Sequence, residues 1–158
     1  RTPWKMAFMA GHNTANWRAS GTRFRDTVLS RLDTIVALTP DMSVTAMYAD
    51  YVLPIAQHYE RHDFTMEGRT PYIQVLDQAV APLGESVDDW EAMSRIAQAI
   101  SAKAVARNLP PIKDTVFGKP ITHDYQKLHD NFTMGGKIRS TKDIVDFLLA
   151  NVALEVPA

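Results

Sequence analysis

The chain has no cysteine. That removes disulfides, thiolate nucleophiles and any iron–sulfur cluster ligated from within it. It does not choose a compartment, because both sides of a bacterial inner membrane accept cysteine-free proteins. No apolar run approaches the roughly 20 residues that cross a bilayer, and no signal peptide is legible. An excess of one charge is missing as well: 17 basic residues face 18 acidic ones for a net charge of −1, so no global field argues for nucleic acid or a membrane surface. The phosphate-binding G-x-x-x-x-G-K-[ST] loop is absent, which speaks against nucleotide hydrolysis, and so are G-x-G-x-x-G, H-E-x-x-H and G-x-S-x-G.

What is present is ordinary globular text. Of 158 residues, 46% are hydrophobic and 22% charged, enough for one domain that buries about two-thirds of its unfolded surface. The chain begins Arg1-Thr2-Pro3 rather than with Met, and reads as a stretch cut from something longer. Basic residues cluster early: Arg1, Lys5, Arg18, Arg23, Arg25 and Arg31 stand against Asp26 alone before Leu32. Beside a Gly-containing turn this excess suits a phosphate ligand; a solvated basic face accounts for it equally.

The chain is organised around Thr34 to Glu60. Thr34-Ile35-Val36-Ala37-Leu38 is a short β-branched apolar run closed by Thr39-Pro40, which predicts a buried strand. Ser43 is placed to cap a short helix over Val44, Ala46, Met47 and Ala49, and Tyr51-Val52-Leu53 predicts a second strand stopped by Pro54. Strand, short helix, strand is a parallel crossover, and such units take ligands at the carboxyl ends of their strands. Upstream, Trp4 to Met9 predicts a first strand running into Ala10-Gly11-His12-Asn13-Thr14, where a glycine allows positive φ and close approach to a ligand. Residues 22–32 place Phe24, Val28, Leu29 and Leu32 at helical spacing, the return helix to the central strand. The expected fold is therefore α/β, a Rossmann-like parallel sheet with flanking helices over residues 1–84. A helical extension over residues 85–158 follows.

The run Met42-Ser43-Val44-Thr45-Ala46-Met47-Tyr48-Ala49-Asp50-Tyr51-Val52-Leu53-Pro54, then Tyr59-Glu60-Arg61, resembles a signature of the dimethyl sulfoxide reductase family of molybdenum oxidoreductases. Leu76 to Ser86 and Asp89-Trp90-Glu91 are similar to the branch with nitrate, selenate, chlorate and perchlorate reductases and the dimethyl sulfide, ethylbenzene and sterol dehydrogenases. The resemblance covers roughly Met6 to Val152 and implies a fragment of a catalytic large subunit that binds bis(molybdopterin guanine dinucleotide) with molybdenum. It implies Gly11, His12 and Asn13 at one strand end, and Thr39, Asp41, Ser43 and Thr45 at the next, as cofactor-binding residues. Many relatives carry aspartate at the position of Thr39, which makes no charge-assisted contact, so guanine selection requires Asp41 to substitute for it. The parent reaction would be two-electron oxygen-atom transfer or hydroxylation, on the periplasmic or the cytoplasmic side of the inner membrane. Its implied partners are the remainder of the large subunit and an iron–sulfur electron-transfer subunit, with no nucleic acid and no transmembrane segment. The molybdenum ligand is not in this chain, so the chain by itself is expected not to turn over.

The rest of the text carries less chemistry. His58 and His62 are four apart and on a helix could face one metal, but Tyr59 occupies the glutamate's place of H-E-x-x-H and no third ligand is near. Glu60 reads as a structural glutamate that ties down a loop through backbone hydrogen bonds. Phe64 to Arg69 resembles a family loop in which Glu67 and Arg69 pair or reach phosphates, and Tyr72 to Leu76 alternates as a strand. A long helix from Ser86 is expected to bury Trp90, Met93, Ile96, Ala97, Ile100 and Ala104, with Ser86 and Asp89 as a capping box, and to end at Asn108-Leu109-Pro110-Pro111. Residues 112–120 read as a loop, 122–131 as a short helix, and 140–149 as a last helix capped by Ser140 or Thr141. No nucleophilic triad can be assembled. The competing functions are a free-standing non-catalytic α/β binding or scaffold module, and a small hydrolase using His58 with a carboxylate.

Overall fold

The computed structural model describes residues 3–17, 19–66 and 72–152; Glu67 and Arg69, singled out above, lie outside them. The described chain divides into two compact units, one formed by residues 1–61 and 78–89, the other by 62–77 and 90–158. The segment 62–77, expected with the α/β part, thus groups with the C-terminal half.

In the first unit three strands, β1 (Met6–Ala10), β2 (Thr34–Thr39) and β3 (Tyr51–Pro54), form a sheet of order β1-β2-β3. Both pairings are parallel. The central strand is buried from Ile35 to Leu38, as a strand covered on both faces must be, and this is why its apolar run is continuous rather than alternating. Short helices connect the strands: α1 (Thr14–Trp17), α2 (Gly21–Thr27) with a 3-10 turn at Leu29–Arg31, and α3 (Val44–Met47). Ala15, Leu29 and Ile35 form the core beneath them, with Met9, Phe24, Leu32, Val44 and Ala49 packed around it. Gly21 is required by close approach: a Cβ there would lie 2.7 Å from the Ala15 carbonyl oxygen. Asp50 fastens β3 to β2, accepting from the Ile35 amide at 2.7 Å while its own amide donates to the Ile35 carbonyl at 2.9 Å.

Past β3 the helix that would have joined His58 to His62 does not form. His58 to Glu60 is a single 3-10 turn, and His62 precedes a strand, with its Nδ1 3.4 Å from Asp77. Pro54 and the extended backbone at Arg61 interrupt helical continuity on either side of the turn. Glu60 has the expected structural role: its Oε2 accepts from the Gln57 amide at 2.8 Å, and the Glu60 amide donates to the Gln57 carbonyl at 2.9 Å. The turn also holds residues 79 and 80, whose amides donate to the Tyr59 carbonyl at 2.9 and 3.1 Å. Glu60→Ala is expected to lower stability by about 1 kcal/mol, with local hydrogen exchange accelerated at Gln57, Ala79 and Val80.

The second unit contains two antiparallel ribbons, β4 (Asp63–Met66) with β5 (Ile73–Leu76) and β6 (Ile112–Val116) with β7 (Lys119–His123). Its helices are α4 (Asp89–Ala106), α5 (Leu128–Phe132) after a 3-10 turn, and α6 (Thr141–Val152). Three expectations are corrected. Ser86 does not cap α4: the helix begins at Asp89, and the Ser86 hydroxyl donates to the Leu83 carbonyl at 2.7 Å. Along α4, Ala97 and Ala104 are buried as expected and Trp90, Met93 and Ile96 are half-buried, but Ile100 is 38% exposed and the small residues Ala92 and Ser94 are buried instead. Small side chains let α5 come close, so that the His129 amide donates to Ser101 Oγ at 2.9 Å and its ring nitrogen lies 3.3 Å from Ser94 Oγ. Lastly, residues 112–120 are not a loop but most of a hairpin, turning at Phe117 and Gly118. Pro120 is tolerated there because, one pair back from a two-residue turn, its nitrogen points away from the partner strand. Trp90 stacks on Phe132, ring centroids 5.8 Å apart. Ser140 caps α6 as expected, accepting from the Asp143 amide at 3.2 Å.

Candidate functional site

The parallel register brings the strand ends side by side. Ala10 pairs with Leu38, Leu38 with Leu53 and Thr39 with Pro54, so β1 and β2 stop together and open on the same edge. The turn after β1 starts at Gly11, whose φ of +62° belongs to glycine and whose missing Cβ faces open space. His12 is exposed, its ring edge-on to Trp17 at 5.2 Å. After β2, the Thr39 hydroxyl donates to the Asp41 carbonyl at 2.9 Å and lies 3.1 Å from its carboxylate, which stays exposed. Among the described residues, no group accepts from the amides of His12, Asp41 or Met42.

A hydrogen-bonded lock joins the two turns. Asn13 Oδ1 accepts from both the amide and the hydroxyl of Thr45, at 3.1 and 3.0 Å, and Thr45 Oγ1 accepts from the Ala15 amide at 3.0 Å. Thr45 is 1% exposed and Ala15 fully buried, so these groups are occupied within the protein and set where the exposed ones stand. Ser43 caps α3, accepting from the Ala46 amide at 3.2 Å. The structure therefore sorts the seven residues singled out from the sequence. Gly11, His12 and Asp41 line the edge, Thr39 and Ser43 shape the second turn, and Asn13 with Thr45 couples the turns.

Two residues of the early basic cluster are engaged within the protein. Arg25 donates to the Ala15 carbonyl at 3.1 Å and lies over the Tyr48 ring at 5.4 Å, so one member of the early basic cluster is a strut. Lys5 pairs with Asp33 at 3.0 Å. Only a chain-distant acceptor decides such roles, and composition carries no trace of it. Asp50 was visible within the quoted motif, but its hold on Ile35 needed the parallel register. An open hollow of about 450 Å³ beside Arg23, lined also by Ser20, Phe24 and Thr27, shares no residue with the strand-end site.

Exposed amides, a φ-positive glycine and a carboxylate stand together at the ends of the parallel strands, where open α/β sheets take their ligands. The donor set fits a dinucleotide: amides suit a pyrophosphate, and the carboxylate suits a base or ribose. Among the described residues, no three His, Asp or Glu side chains are grouped to hold a metal ion.

Comparison with known proteins identifies the family. The molybdopterin oxidoreductase family model matches residues 1–99, and the chain belongs to that family, as the Met42–Pro54 text led us to expect. It is 41% identical over 102 residues to respiratory nitrate reductase subunit alpha of Haloferax mediterranei, covering 65% of this chain and 10% of that one. With dimethylsulfide dehydrogenase subunit alpha of Rhodovulum sulfidophilum it shares 32% identity over 129 residues, 81% of this chain and 14% of the relative. Among solved structures, acetylene hydratase from Pelobacter acetylenicus superposes with a TM-score of 0.54 at 29% identity, over 60% of this chain and 13% of that chain. The chain thus corresponds to a small segment of large subunits in a family that uses a molybdenum–pterin cofactor. No helix among the described residues is long and apolar enough to cross a membrane.

Proposed function

We propose that the carboxyl edge of β1 and β2 holds part of the guanine dinucleotide end of bis(molybdopterin guanine dinucleotide) in the large subunit of a molybdenum oxidoreductase. The observation that carries this reading is the Asn13–Thr45–Ala15 lock, which fixes two adjacent strand-end turns with their exposed amides facing outward. When bound, the cofactor supplies a metal that exchanges an electron pair with substrate, for an oxygen-atom transfer or a hydroxylation. This chain's residues bind and orient. The amides of His12, Asp41 and Met42 donate to pyrophosphate oxygens, and Gly11 keeps the approach open. The Asp41 carboxylate, steadied by the Thr39 hydroxyl, accepts from guanine N–H groups or ribose hydroxyls. Remaining parts of the large subunit supply the metal ligand, and an iron–sulfur subunit takes or returns electrons.

Asp41→Ala in the full-length subunit tests this. Loss of a charge-assisted hydrogen bond of about 1.5–3 kcal/mol is expected to lower guanine nucleotide retention roughly 10- to 100-fold, measured as guanosine nucleotide released by acid per subunit. Retention unchanged in Asp41→Ala would remove Asp41 from the site. A complete absence of guanine nucleotide in the parent would sink the reading altogether.

A further inference from the structure

The β6–β7 hairpin carries features that its own packing leaves unexplained. Of its twelve residues only Val116 and His123 are half-buried, and Ile112 and Ile121 remain 47% and 39% exposed. A two-stranded ribbon with so little cover is marginal by itself. At its tip Phe117 is 100% exposed with φ 49°, followed by Gly118 at φ 76°. Both positions of such a turn need positive φ, and the first ordinarily belongs to Asn, Asp or Gly. A bulky residue there is an outlier. The ring is held in water on a strained backbone, two unfavourable conditions with no compensating contact among the described residues.

We propose that Phe117 is a docking knob that inserts into an apolar pocket on another stretch of the same large subunit. This rests on the reading that the chain is part of such a subunit. The family model ends at residue 99, but an alignment of 129 residues to dimethylsulfide dehydrogenase subunit alpha is long enough that it must include the hairpin. The hairpin is therefore an element within a subunit of which this chain spans 14%, leaving most of that polypeptide to provide the pocket. A single aromatic tip is a small contact. It suffices within one polypeptide, where effective concentration is high, and falls far short of the area a separate subunit needs. Among the described residues, neither Lys119 beside the tip nor Lys113 further along pairs with a carboxylate; Asp114 lies 3.6 Å from His123 instead. An acidic rim on the pocket would complement these two charges. Pro120 removes a donor from the outer edge of β7, so the tip rather than that edge makes the contact.

Hydrogen exchange on the full-length large subunit, alone and with its electron-transfer partner, tests the proposal with Phe117→Gly and Phe117→Leu. In the unmodified subunit alone, amides of residues 112–123 are expected to be protected. Phe117→Gly should accelerate their exchange at least 10-fold, and Phe117→Leu should keep part of the protection. The sign is decisive: were Phe117 only a turn residue, glycine would relieve the strain and exchange would slow or stay the same, overturning the proposal. Unprotected amides in the subunit alone, or protection that appears only with the partner, would overturn it too. Guanine nucleotide content of the same samples is read separately, so loss of the cofactor reading and loss of the docking reading give different results.

Discussion

Thr45→Val is expected to destabilise the α/β unit by about 2–3 kcal/mol. Valine keeps the shape of the buried side chain and deletes the hydroxyl that accepts from the Ala15 amide and donates to Asn13. The Ala15 amide is fully buried, and an unpaired buried donor costs about 1–3 kcal/mol beyond the lost bond. Thr45→Ser, which retains the hydroxyl, should lose about 1 kcal/mol or less. Urea unfolding checks the magnitude as a lowered midpoint at unchanged slope. Asn13→Ala combined with Thr45→Val should fall well short of the sum of the single changes, because both remove the same lock. A fully additive pair would show that the two residues act separately and that the turns are positioned by something else.

Leu38→Ala should cost more, about 3–4 kcal/mol. Leu38 is 1% exposed on β2, among the described residues the only strand paired on both sides. Its truncation removes the transfer energy of three carbons and leaves a cavity that the flanking strands close only partly. The same change at Met47, 71% exposed on α3, should stay within about 0.5 kcal/mol. A loss at Leu38 no larger than at Met47 would mean that β2 is not the centre of this unit. Because Leu38 directly precedes Thr39 at the strand's carboxyl end, its loss should also weaken guanine nucleotide retention in the full-length subunit.

Much of the first unit was legible because its signals are local. Pro40 and Pro54 remove donors and end strands wherever they occur, β-branched runs favour extended backbone, and Ser43 satisfies a helix start three residues on. The C-terminal half was read less well for a matching reason. The hairpin at 112–123 turns on Phe117, a residue that signals no turn, and its strands, Ile112-Lys113-Asp114-Thr115-Val116 and Lys119-Pro120-Ile121-Thr122-His123, are mostly exposed and carry no apolar–polar alternation. The α4 stripe was expected to include Ile100, which is exposed, and to omit Ala92 and Ser94, which are buried because small side chains let neighbouring backbone come close. The same limit applied at the site. Asn13 and Thr45 have the chemistry of ligand-binding residues, and nothing in their local text says that they satisfy one another across 32 positions.

The sequence by itself determined the family, the strand–turn–helix order of the first unit and the placement of polar residues at its strand ends, because these depend on backbone preferences and motifs a few residues long. Only the tertiary structure decided which of those residues remain open to a ligand and which are consumed in holding the turns. Hydrogen-bond capacity is a property of each side chain; whether it is already filled depends on what folding brings to within 3 Å of it.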